Sequence, residues 1–137
     1  MEVFKWYTAP RLIVCLDVLF DLGHHLAYFE KSVDSLFEVI NRHEFEQHVH
    51  GHQGSMLSND SNDPAWYAIR NVVYASGCRL YHSAGSPVSF TVVQEEASGY
   101  FSNALSVHSD LLLRRPTLAA VRALLAMVSA AKHNPYL

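Results

Sequence analysis

The chain has 137 residues, half of them hydrophobic and only 17% charged, with a formal net charge of −3. That length suits one domain with a core of its own, and the balance excludes a disordered tail as well as a basic footprint for gripping nucleic acid. Two cysteines, Cys15 and Cys78, exclude a disulfide framework and a four-cysteine zinc site, and fit a reducing interior.

The first apolar run, Leu12 to Leu22, is broken by Asp17 and Asp21. It is too short for a membrane span and lacks the basic flank and cleavage site of a signal peptide. Residues 1–21 match nothing and are expected to be helical. From there Leu22, Leu26, Phe29, Val33, Phe37 and Ile40 step by three and four and predict one helical stripe, with a kink at Gly23. A short block follows with Phe45 and Val49 four apart. Residues 50–63 then read as a polar, His- and Ser-rich loop.

The segment 63–82 opens with Asp63, a cap, and Pro64, suited to a first helical position. Trp66, Ile69, Val73 and Leu80 form one stripe, and Tyr67, Tyr74, Cys78 and Tyr81 a second beside it. Two adjacent stripes predict a central helix buried on several sides, whose small residues Ala68, Ala75, Ser76 and Gly77 let neighbours approach closely.

After Pro87, Val93, Ala97, Phe101, Ala104 with Leu105, His108 and Leu111 define a further stripe. Pro116 resets the chain, and Thr117 is placed to cap a last helix with Leu118, Val121, Leu125 and Val128 inside, stopped at His133-Asn134-Pro135. Strand alternation is weak throughout. The expected fold is all-α, an array of about four to five helices, with Phe29, Phe37, Trp66, Tyr67, Val73, Tyr74, Cys78, Phe101, Leu105 and Leu125 in its core.

Candidate chemistry is sparse. Nine histidines include a cluster at His43, His48, His50 and His52. His43 and His48 stand five apart, about 140° around a helix, so they diverge. His48, His50 and His52 are the weak candidates for metal ligands, although a solvated His-rich loop explains them better. Cys78, with Arg79 beside it and His82 four residues on, has the spacing of an activated thiol. Its place on a tyrosine stripe fits a small buried hydrophobe instead. No phosphate loop, nucleophile elbow or paired carboxylates stand out, so no catalytic or cofactor residue is expected.

Three blocks in order carry a resemblance. They are LAYFEKSVDSLFEVINRHEFEQHV, with Tyr28-Phe29, Leu36-Phe37 and Phe45; DPAWYAIRNVVYASGCR, with Trp66-Tyr67-Ala68, Arg70-Asn71 and Gly77-Cys78-Arg79; and SGYFSNALSVHSDLLLRRPTLAAVRALLAMV. Together they resemble the fungal-specific transcription factor domain, the helical middle region of fungal zinc-cluster transcription factors. The resemblance covers roughly residues 22–130. It implies that residues 22–137 are part of a larger helical regulatory domain, acting without catalysis in the nucleus through protein partners. DNA and zinc would be bound in that family by a six-cysteine segment with no counterpart here, so no cofactor and no small-molecule ligand is expected in this chain. Arg122 stands where family members often carry Gln. The alternatives are a small His-rich metal-binding protein built on His48, His50 and His52, and a gene fragment without function.

Overall fold

The computed structural model describes residues 23, 24, 26–31, 39–54, 63–83 and 85–132, with side chains of 51–54 excepted. Residues 26–31 are helical, and five helices follow: α1 (Arg42–Gly54), α2 (Pro64–His82), α3 (Phe90–Ser106), α4 (His108–Leu113) and α5 (Leu118–Lys132). Among the described residues there is no strand, and the fold is all-α. None of the described helices is long and apolar enough to cross a membrane.

Caps set most of the boundaries. Asn41 Oδ1 accepts from the Glu44 amide at 3.1 Å, Asp63 Oδ1 from the Ala65 amide at 2.9 Å, and Thr117 Oγ1 from the Ala120 amide at 3.1 Å. Each satisfies a helix-start NH that has no partner within its helix. Asp63 and Thr117 therefore act as their sequence positions imply. For α1 the sequence showed only a short block around Phe45 and Val49, without its cap or its length. Residues 50–54, read as the beginning of a loop, continue the helix, and 55–62 lie outside the described residues.

The central element is α2, which packs against α3 and α5. Ala68, Ile69, Val72, Val73, Ala75 and Cys78 are at most 1% exposed, as a helix with two apolar stripes requires. Tyr74 and Phe101 are also buried, while Phe29, Trp66 and Tyr67 are half-buried at the core's edge. Phe45 joins α1 to the core, its ring 5.5 Å from Phe29 and 6.4 Å from Tyr74. Phe37 lies outside the described residues.

Several expected core positions turn out differently. In the first segment His24, Ala27 and Tyr28 are buried and Leu26 is exposed, so the inward face is rotated from the expected one. The block after Pro87 is two helices, because at Val107 the chain leaves helical geometry (φ −102°, ψ 4°) and its amide turns back to Ala104. That break leaves Leu105 43% exposed and His108 at the surface, while Leu111 remains inside.

The largest inversion is in α5. Leu118, Val121, Leu125 and Val128, expected inside, are 67%, 47%, 53% and 57% exposed. The buried face is instead Ala120, Ala123, Ala126, Met127 and Ala130. Small side chains let the backbone of α5 come close to α2, and the bulkier stripe is left facing outward.

Candidate functional site

Two features stand out once the elements are placed. The first is a cluster where the 23–31 segment meets the C-terminal half of α2. His24, Cys78 and His82 bring one ligand-type atom each to within 4.8 Å of one another, the one such group found among the described residues. Cys78 and His82 are one turn apart on α2, so they project from the same face. His24 comes from the other segment and is brought in by Gly77. A Cβ added there would overlap the carbonyl of His24, so only glycine lets the two backbones touch at this point. Gly23 beside it is less constrained, since a Cβ there would sit 3.2 Å from the Tyr81 ring, a side chain that a small shift moves aside.

The surroundings of the cluster are aromatic. The His24 ring meets Tyr81, His82 and Tyr100 edge-on, at centroid distances of 5.6, 5.9 and 6.5 Å. His24 and Cys78 are 1% and 0% exposed, and His82 is half-buried. His82 Nδ1 lies 2.9 Å from Ser86 Oγ, which orients the imidazole. Burial, reinforced by the nearby His82, pushes the His24 pKa down to about 4, so its ring is neutral at pH 7. The Cys78 thiol donates to the Val93 carbonyl at 3.9 Å, and burial, then the charge of Glu96, push its pKa up to about 12. Such a thiol stays protonated at pH 7, unlike the lowered thiol of an activated nucleophile.

Among the described side chains, the histidines clustered in the sequence do not converge. His43 Nε2 lies 2.9 Å from Gln47 Nε2, and His48 stacks flat on Trp66 with ring centroids 3.8 Å apart. His50 is exposed and points about 200° around α1 from His48. His52 shares a face with His48, but its side chain lies outside the described residues. Among the described side chains the metal-type grouping is thus at His24, Cys78 and His82 and not on His48 and His50. Cys78 and His82 were visible as a spaced pair, but nothing in the sequence pointed to His24 as their third member.

The second feature is the outward stripe of α5. Its spacing of three, four and three is that of a helix–helix seam, and no charged side chain interrupts it. Arg122, the charged residue on the flank of the stripe, is turned to Glu44 of α1 at 2.8 Å. Leu112 and Leu113 of α4, 58% and 87% exposed, add apolar surface ahead of α5.

Between α2 and α3 a polar contact crosses the core. Asn71, 6% exposed, donates to the Tyr67 carbonyl at 2.9 Å, and Asn103 Nδ2 donates to Asn71 Oδ1 at 3.2 Å. These two asparagines belong to the second and third of the three sequence blocks. Comparison with known proteins finds no matching family model, no matching curated protein and no matching solved structure, so the resemblance drawn from those blocks gains no support there.

Proposed function

We propose that this chain is a non-enzymatic helical regulatory module that works by protein contact, of the kind it resembles in fungal zinc-cluster transcription factors. In that reading it acts in the nucleus and meets DNA only through a zinc-cluster segment other than the residues described. The observation that carries the contact role is the uncovered stripe Leu118–Val121–Leu125–Val128. Apolar side chains at seam spacing on a helix already packed on its other face fit a partner helix, and we assign that partner as a second copy of the chain.

The stripe itself supports a two-fold pairing. Antiparallel α5 helices centred on Ala123 set Leu118 against Val128 and Val121 against Leu125, a larger residue against a smaller one each time. Self-complementarity of one patch is what a two-fold dimer requires. Four half-exposed aliphatic side chains cover on the order of a few hundred Å² per copy, below the roughly 800 Å² per partner of a standard interface. The dimer is therefore weak. Lys132 of one copy approaches the Arg114–Arg115 turn of the other, so salt strengthens the association by screening that repulsion.

Sedimentation equilibrium tests this. The expected result is a dimer with Kd in the micromolar range, tighter at high salt, and abolished by Leu125→Glu with helicity retained. A chain that stays monomeric to about 100 µM, or a dimer that Leu125→Glu leaves intact, overturns the assignment.

A further inference from the structure

We propose that His24, Cys78 and His82 form a binding site for one transition-metal dication of borderline softness, for which zinc is the probe. The site differs from the His48, His50 and His52 cluster and from the α5 surface, and it does not depend on the dimer. Two imidazoles and a thiolate are a donor set for zinc, which binds nitrogen at about 2.0–2.1 Å and sulfur at about 2.3 Å. Around a tetrahedral ion such donors lie about 3.3–3.6 Å apart, and here all three are already within 4.8 Å. Small side-chain rotations close the remaining gap.

Three further observations mark the site as built. Cys78 and His82 come from one rigid helix at a one-turn spacing, so their relative position is fixed by α2. The third donor is delivered by a backbone-to-backbone contact at Gly77, the residue immediately before Cys78. Ser86 holds Nδ1 of His82, as the outer partner of a ligating imidazole does, which leaves Nε2 for an ion. The fourth position is left to water. Glu96 is close enough for its charge to act on Cys78, and it offsets the positive charge of the occupied centre. Occupancy would tie residues 23–31 to α2 through the ion, so metal would act here as a structural clasp. On binding, Cys78 gives up its thiol proton to solvent as the sulfur–metal bond forms.

The test uses the full chain, treated with chelator and then titrated with zinc against a competing indicator, and with cobalt(II) followed by absorbance. The expected outcome is one equivalent bound with Kd below about 1 µM and a thiolate-to-cobalt charge-transfer band. Cys78→Ser abolishes the band, and His82→Asn, at a half-buried position that folding tolerates, weakens zinc at least tenfold with helicity unchanged. Cys15→Ser and the double variant His48→Gln/His50→Gln leave both readouts as they were. Binding weaker than about 10 µM in the wild-type chain overturns the proposal. So does a band that follows Cys15, or affinity lost only in the His48/His50 variant.

Discussion

At Gly77 the carbonyl of His24 lies where any side chain would begin, and the contact is backbone against helix, with no flexible end to move aside. Gly77→Ala should therefore push the 23–31 segment off α2. A loss of about 2 kcal/mol or more is expected in urea unfolding, although alanine is the better helix former. A result within about 0.5 kcal/mol of wild type would show that the segment is not held there. His24, delivered by that contact, makes stability depend on pH. It faces Tyr81, His82, Tyr100 and Cys78, and its folded pKa of about 4 is below the ordinary 6.5. The unfolded chain therefore binds the proton more tightly. The stabilisation is fully present above pH 6.5, shrinks as the pH falls below that, and is gone near 4. In chelator-treated protein the loss across that window reaches roughly 3 kcal/mol, and His24→Leu flattens it. An unfolding free energy that does not change between pH 7 and 5 would contradict the burial of this ring.

At the scale of the helix, α5 separates what periodicity can say from what it cannot. Its start at Thr117 and its length were legible from the cap and from spacings of three and four. The inward face was not. Ala120, Ala123, Met127 and Ala130 recur at the same spacing as Leu118, Val121, Leu125 and Val128. Periodicity finds both stripes, but the choice between them rests on how closely α5 approaches α2, a distance the sequence does not contain. Alanines win because a short interaxial distance has no room for leucine. The contrast is measurable. In dilute monomer Leu125→Ala should cost less than about 0.5 kcal/mol, while Ala123→Leu should cost about 1–3 kcal/mol by overpacking. The reverse order would restore the Leu/Val face to the core. For α2 the same reading succeeded in the middle of both stripes, at Ile69, Val73, Tyr74 and Cys78, and failed at Tyr81, which is 51% exposed. The metal-type cluster was half legible: an i, i+4 pair is a local pattern, whereas His24 joins it from 54 positions before Cys78 through a backbone contact at a glycine.

For the molecule as a whole, the uncovered α5 stripe makes stability a function of concentration. Partners that associate only when folded stabilise the fold by mass action. The melting temperature of the wild-type chain should therefore climb by a few degrees between about 5 and 200 µM, and that of Leu125→Glu should not. The half-exposed Arg122–Glu44 pair, though it joins α1 to α5, adds little to this, since ion pairs reached by water contribute at most about 1 kcal/mol. The Asn71–Asn103 contact has another kind of consequence. Apolar ridges of α2 and α3 would still fit one another after a slide of one helical turn, with most of their burial kept. The amide pair would not: away from the present offset Asn71 keeps its bond to the Tyr67 carbonyl, but its buried Oδ1 loses Asn103, at about 1–3 kcal/mol. The asparagine pair thus works as a vernier, adding little to the depth of the native well while leaving a single register in which the two helices can mesh.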